Sequence, residues 1–114
     1  AFQETDIIGI STPVTKWSYQ ITRVEEIPEI IAKAFYIARS GRPGPVLVDI
    51  TKDAQFGTSG FSYTPCTKIR SYKPVPEKEE TDLVQAAKLI NAAKNPLIVW
   101  GQGVILGEAE EEFR

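Results

Sequence analysis

The feature that most constrains the fold is a helix stop followed at once by a short apolar strand, within residues 34–53. The helix must end before Gly41, because the left-handed position after a last helical turn favours glycine. Pro43 and Pro45 prevent the helix from continuing. Residues 46–50 are short, β-branched and mostly apolar, which predicts a parallel strand that is buried on both faces.

Charged side chains stand on either side of this strand. In open α/β sheets, ligands bind beyond the carboxyl ends of strands. Lys52 and Asp53 lie at such an end, so one alternative is that Lys52 meets an anion in a crevice. The other alternative is that both residues belong to a solvated turn that caps a helix. Arg42 lies among glycines and prolines, and its planar fork either binds a phosphate or satisfies the carbonyl groups at the helix end. The residues alone leave these alternatives open.

Periodicity before this stretch predicts a strand and a helix. Residues 14–21 alternate loosely and predict a strand. Residues 22–40 predict a helix with one apolar face. Thr22 and Glu25 form a candidate capping box, whereas Pro28 requires a place in the first turn and moves the start towards residues 24–25. The apolar face consists of Ile27, Ile30, Ile31, Ala34, Phe35 and Ala38.

The same order of helix and strand recurs after residue 76. Residues 77–94 predict a second helix with Thr81 as its N-cap, and residues 97–100 predict another buried strand. The predicted buried stripe of the helix consists of Leu83, Ala86, Ala87 and Ile90. We therefore expect an α/β chain with parts of two domains.

Residues 57–76 have poor periodicity and several turn residues, which predicts an interdomain linker that lies over the surface. Aromatic side chains in and beside it are expected to anchor it to the domains: Phe56, Phe61, Tyr63 and Tyr72.

A glycine pair follows the last predicted strand. Gly101, Gln102 and Gly103 let backbone N–H groups approach a phosphate at a helix start. The dinucleotide fingerprint needs a third glycine where this chain has Leu106, so a simple tight turn is the alternative. The acidic residues 108–112 predict the solvated face of that helix.

Composition excludes several functions. The 114 residues carry a formal net charge of −2 with no basic stripe, which argues against general nucleic-acid binding. No apolar run reaches the ~18 residues of a membrane span. The absence of histidine excludes a Ser-His-Asp triad and a histidine zinc site within this chain. Cys66 is the single cysteine, which fits a reducing compartment, so we expect a cytoplasmic protein.

Several segments together resemble the large catalytic subunit of acetolactate synthase (acetohydroxyacid synthase). The resemblance is strong over residues 1–56 and looser over 77–107. It rests on Ala1-Phe2-Gln3-Glu4, Thr15-Lys16-Trp17, Gly41-Arg42-Pro43-Gly44-Pro45 with the strand after it, Lys52-Asp53, Asn95-Pro96 and Gly101-Gln102-Gly103. The chain also lacks methionine, and we expect it to be an internal fragment of such an enzyme.

The resemblance implies parts of two parallel-sheet, three-layer α/β domains. Residues 1–56 match the C-terminal part of the pyrimidine-binding domain for thiamine diphosphate. Residues 57–76 match the linker, and residues 77–114 match the start of the central domain, which carries FAD.

The resemblance also implies site residues. Phe2, Gln3 and Lys52 match residues of the substrate channel, so they are the catalytic candidates. Arg42 matches an arginine that contacts FAD, and residues 101–103 match the glycine-rich turn beside the same cofactor. No metal ligand is expected in the chain.

The activity that the resemblance implies is a transfer of a two-carbon acyl unit. The family decarboxylates pyruvate and joins it to a second 2-oxo acid, giving acetolactate or acetohydroxybutyrate in valine, isoleucine and leucine biosynthesis. Its cofactors are thiamine diphosphate, Mg²⁺ and FAD. The whole enzyme is expected to be a homodimer or homotetramer with a regulatory small subunit.

The activating glutamate and the Gly-Asp-Gly metal motif of the family are not matched in this chain. We therefore expect the chain alone to bind no cofactor and to be inactive. A sister thiamine-diphosphate enzyme, such as a pyruvate oxidase, and a non-catalytic α/β binding module are the alternatives.

Overall fold

The computed structural model describes residues 5–114, so the candidates Phe2 and Gln3 lie outside the described residues. The chain divides into two compact units, of which the first ends at Pro74 and the second is Val75–Arg114. None of the helices among residues 5–114 has the length and apolar character needed to cross a membrane.

The first unit is a small α/β arrangement. Its elements are helix α1 (Ile7–Ser11), a 3₁₀ turn (Thr12–Val14), strand β1 (Trp17–Ile21), a second 3₁₀ turn (Val24–Glu26), helix α2 (Ile27–Arg39), strand β2 (Val46–Ile50) and helix α3 (Lys52–Phe56).

The two strands form a parallel pair, which confirms the predicted α/β class with a parallel sheet. Trp17 lies opposite Val46 at one end, and Ile21 lies opposite Ile50 at the other. Helix α2 provides the crossover that a parallel connection requires. Every residue of β2 is half-buried rather than buried, because two strands alone cannot enclose one another.

The core of this unit lies where the strands meet α2 and α3. Ile21 is completely enclosed and packs with Ile30 and Ala54. Partly buried residues surround this cluster: Trp17, Tyr19, Ile27, Val48 and Ile50. The core therefore holds together the ends of both strands, helix α2 and the middle of α3.

Helix α2 confirms most of the predicted helix and corrects its start. The helix begins at Ile27 after the 3₁₀ turn, and Pro28 lies in its first turn as expected. The proposed capping box of Thr22 with Glu25 is wrong, because Glu26 occupies the N-cap position and makes no side-chain cap. Phe35, expected on the buried face, is 67% exposed.

The predicted stop after α2 is confirmed. Gly41 has a φ of +59°, a left-handed conformation that costs side-chain-bearing residues about 1–2 kcal/mol. The amide of Gly44 donates to the carbonyl of Ala38 at 3.0 Å, which turns the chain back towards β2.

Anchoring by aromatic residues is confirmed only for Tyr72. Phe56, Phe61 and Tyr63 are exposed, with Phe61 83% exposed. Beyond α3 the connection has no regular structure apart from an isolated bridge between Ile69 and Tyr72. An irregular segment does not align its rings on one face, so they do not share a buried surface.

The second unit contains helix α4 (Glu80–Ala92) and helix α5 (Gln102–Leu106). Thr81 lies inside the first turn of α4, and Glu79 takes the N-cap position, so the predicted cap is wrong. The predicted buried stripe of α4 is exposed, because nothing in residues 75–114 covers it.

Two further predictions for this unit are wrong. Residues 97–100 are not a strand, and Leu97 and Val99 are 88% and 86% exposed. A strand needs a hydrogen-bonded neighbour, and residues 75–114 contain no paired strand. The acidic residues 108–112 form turns rather than a helix, because α5 ends at Leu106 and Glu108 has a φ of +52°.

Candidate functional site

A cleft of about 1180 Å³ lies at the carboxyl end of the two-stranded sheet. Parallel strands end at the same edge, so β1 and β2 deliver their last polar side chains together. Gln20 and Asp49 lie opposite one another, and Gln20 Nε2 donates to Asp49 Oδ2 at 2.7 Å. The lining residues are Thr5, Asp6, Ile7, Gln20, Asp49, Ile50, Thr51, Lys52, Asp53 and Gln55.

Lys52 lines this cleft as the first residue of α3. Its side chain is exposed, and no ion pair holds its ammonium among residues 5–114. Lys52 thus begins a helix at a concave surface, and its contact with an anion there stays a prediction.

The carboxylates of the cleft are not all available to Lys52 or to a ligand. Asp6 caps α1 by accepting the amide of Gly9 at 2.9 Å, and Asp49 accepts from Gln20. Asp53 lies next to Lys52 in the first turn of α3. The arrangement therefore offers one cation, with two of the three neighbouring carboxylates already engaged.

Arg42 lies in the turn between α2 and β2 and is exposed. One alternative was that Arg42 satisfies the carbonyl groups at the end of α2. Lys16 does so instead, because its Nζ donates to Ile37 O at 2.6 Å and to Ser40 O at 2.8 Å. The helix-capping alternative for Arg42 is therefore wrong. No hydrogen bond or ion pair engages its guanidinium among the described residues.

Gly101 and Gly103 lie at the start of α5. Gly101 is extended, with a φ of −130°, and a β-carbon added to either glycine would have no neighbour within 4 Å. Neither backbone conformation nor packing within residues 75–114 requires glycine there. The space beside Gly101, Gln102 and Gly103 is open to another molecule or segment.

The residues that are expected to contact FAD are accessible to a ligand. Arg42 presents an unpaired cation, and the glycine turn presents accessible backbone. The two places belong to different units of the chain. Among residues 5–114, no cluster of three or more carboxylate or thiol side chains has the geometry to hold a metal ion.

Sequence reasoning did not identify Gln20 and Asp49 as cleft residues. Each lies one position before the end of its strand, so the register Gln20 opposite Asp49 would have predicted their contact. It also missed Lys16, which reaches Ile37 and Ser40, more than 20 residues away in the chain. No local pattern signals such a long-range hydrogen bond.

Comparison with known proteins bears out the predicted resemblance. The chain is 47% identical over 114 residues to acetolactate synthase of Mycobacterium bovis, and this match covers 100% of the chain and 18% of the relative. It is 46% identical to the acetolactate synthase large subunit of Corynebacterium glutamicum, with the same two coverages. No protein-family model matches the chain.

A more distant bacterial relative gives the same result. The acetolactate synthase large subunit of Haemophilus influenzae is 41% identical over 115 residues, covering 99% of the chain and 20% of the relative. The chain thus spans about a fifth of the length of the curated relatives that it matches. These relatives favour the acetolactate synthase prediction over a sister enzyme and over a small binding module.

Proposed function

We propose that this chain, a segment related throughout to acetolactate synthase large subunits, belongs to an enzyme that makes acetolactate or acetohydroxybutyrate from two 2-oxo acids. The observation that carries the proposal is identity of 41–47% over the whole chain to proteins of that name. The reaction is a transfer of a two-carbon acyl unit in the synthesis of branched-chain amino acids.

Thiamine diphosphate, bound with Mg²⁺, supplies the carbanion chemistry that decarboxylates pyruvate in this proposal. The residues of this chain bind and orient the substrate and exclude water. Lys52 supplies positive charge for a substrate carboxylate, which its exposed position in the cleft supports. Gln3 offers an amide donor and Phe2 an apolar wall. A well-placed donor is worth roughly 3 kcal/mol in a transition state.

Arg42 and the glycine turn at residues 101–103 are proposed to contact FAD. The guanidinium of Arg42 suits the diphosphate, because its fork binds phosphate oxygens in a bidentate manner. At Gly101 and Gly103 a backbone contact is proposed, since the space beside both residues is open.

We propose that residues 1–56 belong to the pyrimidine-binding domain, that residues 57–76 are a linker, and that residues 77–114 belong to the central domain. The name "large subunit" given to relatives supports a regulatory small subunit as partner. We also propose a homodimer or homotetramer, and a location in the cytoplasm, which the single cysteine supports.

The proposal is tested on the full-length polypeptide that contains this chain. It is incubated with pyruvate, thiamine diphosphate, Mg²⁺ and FAD, and acetolactate is measured. Formation of acetolactate is the expected result. Pyruvate consumption without acetolactate would favour a sister decarboxylase or oxidase, and no consumption would favour the binding module.

Lys52→Gln in that polypeptide tests the role of the cleft. Loss of a hydrogen bond to a charged group costs about 1.5–3 kcal/mol, so kcat/KM for pyruvate should fall by about ten- to hundredfold. The matched control is Lys33→Gln, which removes a lysine of α2 whose ion pair with Glu29 lies on the surface. Equal activity of the two variants would contradict the role of Lys52.

A further inference from the structure

The turn that carries Arg42 is held from one side by Lys16. We call residues 40–45 the Arg42 loop. The ammonium of Lys16 donates to Ser40 O, at the start of this loop, and to Ile37 O in the last turn of α2. Its backbone amide donates to Pro45 O at 2.8 Å, at the other end of the loop.

The methylene groups of Lys16 also lie against the middle of the loop. A β-carbon added to Gly44 would come 2.9 Å from Lys16 Cδ and 3.0 Å from Cγ. The side chain of Lys16 therefore contacts the beginning and the middle of the Arg42 loop, and its backbone amide contacts the end. Lys16 immediately precedes β1 and lies outside helix α2 and strand β2.

Tyr72 holds the same loop from a second direction. Its hydroxyl donates to Ser40 O at 3.2 Å and lies 3.3 Å from Ser40 Oγ. Its ring lies 5.6 Å from Lys16 Nζ, within the range of a cation–π contact. Pro74, two residues on, lies against Gly41, since a β-carbon there would come 3.2 Å from Pro74 O.

We propose that Lys16, assisted by Tyr72, is a positioning residue that fixes the Arg42 loop so that the Arg42 guanidinium binds a phosphate group of FAD. The inference rests on the proposed contact between Arg42 and FAD. It adds a residue that does not touch the cofactor and acts only through the loop.

The physical reason is that Arg42 has no partner of its own among the described residues. A bidentate contact requires the fork to meet two oxygens in one orientation. With a free guanidinium, that orientation depends on the backbone from which the side chain extends. The contacts of Lys16 and Tyr72 fix this backbone before the cofactor arrives, which lowers the entropy lost on binding.

The test measures FAD affinity of the full-length polypeptide by flavin fluorescence for four proteins: wild type, Lys16→Met, Arg42→Gln and the double variant. Methionine keeps an apolar stem beside Gly44, with sulfur in place of Cδ, and removes the ammonium. Displacement of the loop should weaken FAD binding by about ten- to hundredfold. In the Arg42→Gln background, Lys16→Met should have no further effect, because the group that it positions is gone.

Control variants separate positioning from general stability. Lys16→Arg keeps a donor for Ile37 O and Ser40 O and should restore most of the affinity. Tyr72→Phe keeps the ring, removes the hydroxyl, and should give a smaller loss that also disappears with Arg42→Gln. Lys33→Met on α2 should leave FAD affinity unchanged.

Three results would overturn the inference: unchanged affinity in Lys16→Met, an equal loss with and without Arg42, or unchanged affinity in Arg42→Gln. If Lys16→Met fails to fold, Tyr72→Phe with and without Arg42→Gln decides in its place. Acetolactate formation by the wild-type polypeptide is scored separately, so the enzyme assignment stands or falls independently of the positioning role.

Discussion

Tyr72 lies in a connection without regular structure, but specific contacts fix its side chain. Its ring meets Tyr36 edge-on at 6.3 Å between centroids, and its hydroxyl contacts Ser40. The hydrogen bond from Ser40, together with the nearby Lys16 ammonium, lowers the pKa of Tyr72 below its ordinary value. The surroundings thus stabilise the ionised form of this phenol relative to the same group in water.

The lowered pKa of Tyr72 predicts a pH dependence of stability. The folded-state pKa of Tyr72 lies below the unfolded-state value of ~10. The contribution of the ionised side chain to the free energy of unfolding is therefore complete above pH ~10, and it is lost as the pH falls through the folded-state pKa. The Tm of the full-length polypeptide should therefore exceed that of Tyr72→Phe by more at alkaline than at neutral pH. A Tm difference that does not change with pH would contradict the shift.

Among the elements, the connection between α2 and β2 depends on one left-handed residue. Gly41 supplies a φ of +59° that ends the helix, and the amide of Gly44 returns to Ala38 O. Together these features place the start of β2 beside β1, so the two strands and their cleft depend on this turn.

Gly41→Ala is expected to destabilise the full-length polypeptide by about 1–2 kcal/mol, the cost of a left-handed residue with a β-carbon. Chemical denaturation of the polypeptide measures the change. The matched control is Gly60→Ala, where a β-carbon meets nothing within 4 Å, and which should change stability by less than about 0.5 kcal/mol. Equal effects at the two glycines would show that backbone strain at Gly41 is unimportant.

Elements specified by local signals were predictable from the sequence. Strand β2 has the predicted bounds, because β-branched residues follow a glycine–proline stop. Pro28 likewise located the first turn of α2. Elements that need a distant partner were not predictable: residues 97–100 have strand-forming side chains but no paired neighbour among the described residues.

In the candidate site, too, features set by local sequence were predictable and features that need a distant partner were not. The position of Lys52 beyond a strand end was predictable, because it requires only that β2 be parallel to a neighbour. The contact of Gln20 with Asp49 depends on the register between two strands, and the reach of Lys16 to Ser40 depends on tertiary structure. Neither has a local sequence pattern.

At the scale of the whole chain, the two units differ in how much they bury. The first encloses Ile21 completely, whereas no residue described in Val75–Arg114 is buried. The exposed apolar residues of this second unit include Leu83, Leu89, Leu97, Val99 and Trp100. The chain spans about a fifth of its relatives' length, and nothing described in Val75–Arg114 covers these side chains.

The 114-residue chain alone is therefore expected to self-associate. Exposed apolar side chains and unpaired strand edges both favour contacts between copies. Light scattering at increasing concentration should show species larger than the monomer mass of 12.6 kDa. A constant monomer mass across the concentration series would contradict this expectation.

The hydrogen bond between Gln20 and Asp49 in the cleft forms only when β1 and β2 pair in the observed register. Successive side chains of a strand point to opposite faces, so a shift of β2 by one residue would turn every side chain over. Asp49 would then no longer lie opposite Gln20, and the side chain of Ile50 would turn to the other face of the sheet. A one-residue deletion between α2 and β2 would thus change which chemical groups face a ligand at the far end of the strand, even though no cleft residue had been replaced.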